Sequence, residues 1–150
     1  MTRAMLVTVL YRAAGEPAVS AESPFSDVPP TAWYGPAAAW GAETGIVRGV
    51  SADSFAPDRP ITRAELVTLL YRFAGVSEAV PAPTEDLPAC LAGFSDAGDL
   101  PVFARPAMAW AVDRGLILGA PGPEGFRLLP EAVASRAQVA ALLQRCLPAA

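Results

Sequence analysis

Thr62-Arg63-Ala64-Glu65-Leu66-Val67-Thr68-Leu69-Leu70-Tyr71-Arg72-Phe73-Ala74-Gly75 reads as an amphipathic helix that carries its own start signal. Thr62 and Glu65 form a T-x-x-E capping box, in which the hydroxyl and the carboxylate each satisfy a backbone N–H that the first turn leaves without a partner. Such a cap is worth about 1 kcal/mol. Ala64, Leu66, Val67, Leu69, Leu70, Phe73 and Ala74 then form a wide apolar stripe at helical spacing. Gly75 is placed to stop the helix in the left-handed conformation.

The same stretch occurs near the start of the chain as Thr2-Arg3-Ala4-Met5-Leu6-Val7-Thr8-Val9-Leu10-Tyr11-Arg12-Ala13-Ala14-Gly15. A more diverged copy runs from Ser135-Arg136-Ala137-Gln138 to Leu142-Leu143-Gln144-Arg145, with the capping box in neutral form. A second element also recurs. Phe25-Ser26-Asp27 matches Phe94-Ser95-Asp96; Trp40 leads to Gly45-Ile46-Val47-Arg48-Gly49, and Trp110 to Gly115-Leu116-Ile117-Leu118-Gly119. Phe55 and Phe126 come next, in the loops. The chain therefore divides into a half-repeat (1–15), a whole repeat (25–75) and a diverged whole repeat (94–147), joined by Pro/Ser/Glu-rich stretches at 16–24 and 76–93.

Each whole repeat reads as helix, loop, helix. The first helix is expected over 34–44, with Pro36 tolerated in its opening turn and Gly45 ending it; Pro106 and Gly115 take those places in the last repeat. Phe55 is expected to plug the loop back into the core. A helix pair of this size cannot bury its stripe alone, so neighbouring repeats must pack together. The expected class is all-α, built from tandem helix-loop-helix units.

Composition narrows the function. Over 150 residues the net charge is −4, and all eleven basic residues are arginine. A pI near 4.7 with no basic run lacks the electrostatic footprint of a nucleic-acid binder. Histidine is absent, which removes the commonest general base and metal ligand. Cys90 and Cys146 form no metal or redox motif and read as free thiols. No catalytic pair, metal site or cofactor motif is visible, and no segment reaches the ~18 apolar residues that a membrane span needs. The absence of an export signal leads us to read the chain as a fragment.

The spaced elements resemble the S-layer homology family, whose pattern appears here as Phe25-Ser26-Asp27-Val28, Trp33, Gly45-Ile46-Val47-Arg48-Gly49, Phe55-Ala56-Pro57 and Ile61-Thr62-Arg63-Ala64-Glu65. The resemblance implies a pseudo-threefold helical bundle, truncated here by the half-repeat, whose inter-repeat grooves hold an anionic, pyruvylated secondary cell wall polymer at the cell surface. It implies that Arg63, Arg136 and Arg3 grip the anionic group, with Asp27, Asp96 and Trp33 near the grooves. An arginine in the first turn of a capped helix would add backbone N–H groups and the positive end of the helix dipole to such a site. The last repeat departs from the pattern: Phe103 replaces tryptophan, the inter-helix loop 120–134 is longer, and F-x-P is missing.

Structural readings stand beside these functional ones. Asp27 and Asp96 would equally well brace the turn entering the first helix, and Trp33 would equally well be core. Trp40 and Trp110 lie on apolar faces and read as packing. Arg12, Arg72 and Arg145 suit the negative ends of their helices. The expected function is a non-catalytic cell-wall anchor. The alternative is an assembly module that self-associates through the half-repeat, where Leu6, Val7, Val9 and Leu10 would lack a natural partner.

Overall fold

The structure, a computed structural model, describes residues 1–76 and 87–146. Residues 77–86 of the expected 76–93 joint, and Leu147 at the expected end of the last repeat, lie outside the described residues. The chain is mostly α-helical and divides into two compact units, residues 1–61 and 62–150. The first holds α1 (Arg3–Ala13) and α2 (Gly35–Glu43). The second holds α3 (Arg63–Val76), α4 (Leu87–Leu91), α5 (Arg105–Asp113), a hairpin of β1 (Ala120–Gly122) and β2 (Gly125–Arg127), and α6 (Arg136–Cys146).

These units are offset from the repeat bounds expected from the sequence. Each joins the second helix of one repeat to the first helix and loop of the next: α1 packs on α2, and α3 packs on α5. The stripe that a helix pair could not bury alone is covered in this way. In the first unit Leu6, Val7 and Leu10 are buried, as are Ala37, Ala38 and Trp40 of α2 and Ile46, Val47 and Phe55 of the loop. The half-repeat helix thus keeps most of its stripe out of solvent, contrary to the expected exposure of Leu6, Val7 and Leu10. In the second unit Leu66, Val67 and Leu70 of α3 are buried, together with Ala107, Met108 and Ala111 of α5 and Leu116, Ile117 and Leu128. The two tryptophans occupy matching places. Trp40 lies 5.6 Å from Tyr11 and Trp110 lies 5.7 Å from Tyr71, centroid to centroid.

Local chemistry explains the helix limits. The Thr62–Glu65 box is closed by Glu65 N donating to Thr62 Oγ1 at 3.2 Å and Thr62 N donating to Glu65 Oε2 at 3.1 Å. Ser135 and Gln138 close the neutral version at 3.2 and 2.9 Å. Gly45 and Gly115 end the first helices with φ of +74° and +66°. Gly75 departs from expectation: it lies inside α3, which runs on to Val76. A glycine costs a helix interior only about 1 kcal/mol, so it permits a stop without imposing one. A second pair of glycines serves packing: a Cβ on Gly49 or Gly119 would come within 2.9 or 2.6 Å of the Phe25 or Phe94 ring. This close approach links the F-x-D turn to the G-x-x-x-G segment in both units.

The long loop of the last repeat corrects one further expectation, the pairing of Phe126 with Phe55. Within the loop Ala120–Gly122 and Gly125–Arg127 pair antiparallel across Pro123–Glu124, a short sheet in a mostly helical chain. The hairpin absorbs the extra residues and shifts the register of the segment after it. Leu128, and not Phe126, occupies the place of Phe55: Leu128 is fully buried, whereas Phe126 is 55% exposed. Leu128-Leu129-Pro130 is thus the counterpart of Phe55-Ala56-Pro57. Ala56 and Leu129 share a left-handed backbone, with φ of +55° and +54°.

This register makes a mutational prediction. Phe55→Ala should lower unfolding free energy by about 3–5 kcal/mol in urea titrations. Phe126→Ala should stay within about 0.5 kcal/mol of the parent, as for an exposed side chain.

Candidate functional site

The site residues gather where the loop returns to the start of the next helix. In the first unit the return segment runs beside the N-terminus of α1. Arg3 N donates to Arg59 O at 3.0 Å, Ala4 N to Pro57 O at 3.0 Å, and Ile61 N to Met1 O at 3.0 Å. The second unit repeats this at α3, with Arg63 N donating to Ala132 O at 2.9 Å and Ala64 N to Pro130 O at 3.0 Å. First-turn N–H groups that a helix leaves without partners are thereby satisfied by loop carbonyls. The expectation that backbone N–H groups of these turns assist in anion binding is corrected accordingly: at Arg3, Ala4, Arg63 and Ala64 those donors are occupied.

One loop residue in each unit is held from both sides. Asp27 Oδ1 accepts from Phe55 N at 2.8 Å, and Phe55 O accepts from Arg3 Nε at 2.9 Å. Asp96 Oδ1 accepts from Leu128 N at 2.7 Å, and Leu128 O accepts from Arg63 Nε at 2.9 Å. Each aspartate also takes the next N–H, Ala56 or Leu129, at 2.8 Å. The F-x-D aspartate and the T-R-A arginine are therefore linked through one peptide residue. Asp27 is further held by the Ser54 hydroxyl at 2.8 Å. Burial would raise its pKa, but the hydrogen bonds from Phe55 N, Ala56 N and Ser54 outweigh that effect and hold the carboxyl below its usual value. Asp96 is 5% exposed, and Arg127 Nε stands 3.7 Å from its Oδ2.

The two arginines differ beyond Nε. Arg3 is 5% exposed; its Nη2 donates to Arg48 O at 3.2 Å, and its guanidinium carbon lies 5.3 Å from the Phe55 ring centroid. Its guanidinium is committed to the loop. Arg63 is half-buried, and its terminal Nη1 and Nη2 make no hydrogen bond among the described residues. Burial lowers its pKa, while the charge of Asp96 acts in the opposite sense. Arginine remains charged despite such shifts. One part of the difference is legible in the sequence: Leu128 stands where Phe55 does and has no ring to lie beneath the guanidinium.

The remaining candidates are more exposed. Arg136 is exposed in the first turn of α6. Trp33 is 63% exposed and meets Tyr34 edge-on at 5.2 Å, so it presents an aromatic face to solvent. Phe103, its counterpart in the second unit, is also exposed. Arg127 and the Phe55 and Leu128 backbones were not anticipated as site components. Arg127 ends an inserted hairpin that has no counterpart in the other repeat, and a peptide group leaves no trace in a residue pattern.

A capped helix, a returning loop and a buried Asp–peptide–Arg link define a repeat module with a charged anchor at each helix start. The S-layer homology domain family matches residues 24–67, and an S-layer homology domain occupies that stretch of the chain. Over 126 residues the chain is 31% identical to a surface-layer 125 kDa protein of Lysinibacillus sphaericus. That alignment covers 82% of this chain and 10% of the relative, so the chain spans about a tenth of the protein it matches.

The aspartate link predicts a pH dependence. The folded Asp27 carboxyl takes up a proton less readily than the unfolded one, so its contribution to stability is complete above about pH 4. It is lost as pH falls through the depressed folded value. Urea unfolding between pH 7 and 2 should show this loss, and Asp27→Asn should be less stable at pH 7 with a flatter acid limb.

Proposed function

We propose that this chain is a non-catalytic module that attaches a surface protein to the bacterial cell wall by binding an anionic, pyruvylated secondary wall polysaccharide. The S-layer homology domain at 24–67 and the likeness to a surface-layer protein support a role at the cell surface. The open guanidinium of Arg63 carries the ligand assignment. Its Nε is anchored on Leu128 O, while two terminal nitrogens are free of partners among the described residues. A guanidinium held in this way offers a carboxylate a planar, bidentate, charge-assisted pair with little ordering left to do. A pyruvate ketal supplies one fixed carboxylate on a sugar ring, which matches that fork.

Arg136 is a second, exposed cation of the same motif, and Trp33 and Phe103 offer aromatic faces for sugar C–H groups. Arg3 enters this reading as a loop latch. Asp27 and Asp96 enter it as braces, because their oxygens already accept backbone N–H groups.

The test is co-sedimentation with purified wall sacculi, before and after removal of the pyruvylated polymer. Binding should require the polymer, and Arg63→Ala should weaken it by about 2 kcal/mol or more while the chain stays folded. Unchanged binding by folded Arg63→Ala would sink the assignment. Arg3→Ala should act on stability alone, seen as a lower Tm, because it leaves the buried Phe55 carbonyl without its donor; the smaller Tm loss expected of Arg63→Ala, which removes the part-buried bond to Leu128 O, should come with lost binding.

A further inference from the structure

Resting on the assignment of Arg63 as the ligand arm, we infer that Asp96 is a positioning residue for ligand binding, acting on Arg63 through the Leu128 peptide. The path is short and continuous. Asp96 Oδ1 holds Leu128 N at 2.7 Å, Asp96 Oδ2 holds Leu129 N at 2.8 Å, and Leu128 O takes Arg63 Nε at 2.9 Å. The carboxylate fixes the peptide on either side of Leu128. The Leu128 carbonyl then fixes which edge of the guanidinium is turned inward, leaving the terminal nitrogens for the ligand. Leu129 N and Leu128 O belong to one peptide unit, so a negative charge on that N–H polarises the unit and strengthens its carbonyl as an acceptor. Asp96 has no need to touch the ligand, and both its oxygens are occupied.

The first unit contains the same link in a closed form, and this makes the inference testable. Asp27, Phe55 and Arg3 reproduce the geometry, but the Arg3 guanidinium is spent on Arg48 O and stacked at the Phe55 ring. Breaking the link there perturbs the same two backbone hydrogen bonds, and the Ser54 contact besides, without touching an open arginine. Asp27→Asn, which also alters the Ser54 contact, and Asp96→Asn, which also removes the charge beside Arg127, are thus parallel variants with different expected effects on binding.

The experiment measures binding of a small methyl glycoside bearing a 4,6-pyruvate ketal to the full chain and its variants, together with the arginine Nε–Hε NMR signals. Asp96→Asn should weaken the glycoside about tenfold, the worth of one charge-assisted hydrogen bond, and should expose the Arg63 Hε to faster solvent exchange. Asp27→Asn should disturb the Arg3 signal and leave both the affinity and the Arg63 signal at parental values. Asp96→Glu, which keeps the charge but shifts the Leu128 peptide, should also weaken binding, and it serves if Asp96→Asn fails to fold. Parental affinity and Arg63 exchange in folded Asp96→Asn would overturn the inference, as would equal weakening by Asp27→Asn, which would mark a general stability effect. Arg63→Gln separates the two levels: if it binds as the parent does, the ligand assignment itself falls. If it loses binding while Asp96→Asn keeps it, only the positioning role falls.

Discussion

In each unit a single loop residue is gripped at both ends of its backbone, its N–H by an aspartate and its C=O by an arginine, and the other features are arranged around that grip. A long loop between two short helices must order a costly length of chain, at roughly 1–2 kcal/mol per residue. Buried and part-buried charge-assisted bonds at Phe55 or Leu128 supply fixed points in the middle of that length. Once the residue is fixed, its side chain drops into the core, the chain turns left-handed at Ala56 or Leu129, and the return segment reaches the first turn of the next helix.

This arrangement explains why the units are offset from the repeats. The aspartate and the gripped residue belong to one repeat, while the arginine belongs to the second helix of the repeat before it. Arg3 meets Phe55, and Arg63 meets Leu128. A repeat is therefore bound to its predecessor by the same contacts that order its own loop. Within each unit the residues that order the loop are thus the same ones that join it to the preceding helix.

The same grip is compatible with two fates for the arginine. With an aromatic residue beneath it and a carbonyl at Arg48 within reach, the guanidinium of Arg3 is consumed. With Leu128 in place of Phe55 no ring lies beneath the guanidinium of Arg63, which keeps two nitrogens open among the described residues. Divergence between copies here goes with a division between holding the loop and facing outward.

The sequence by itself determined the helical periods, both capping boxes, the glycine stops at Gly45 and Gly115, and the burial of Trp40, Trp110 and Phe55. These are set by local spacing and by hydrogen bonds across a few residues. It also carried the domain at 24–67 through its spaced motifs. Tertiary structure decided what joins residues far apart in the chain: that Asp27 and Arg3 share Phe55, that first-turn N–H groups are taken by loop carbonyls, and that Leu128 replaces Phe126. The physical reason is the same in each case. Backbone donors and acceptors are common to all residues, so a contact made through them leaves no mark in side-chain patterns. A short hairpin likewise moves the register by whole residues without disturbing the motifs on either side of it.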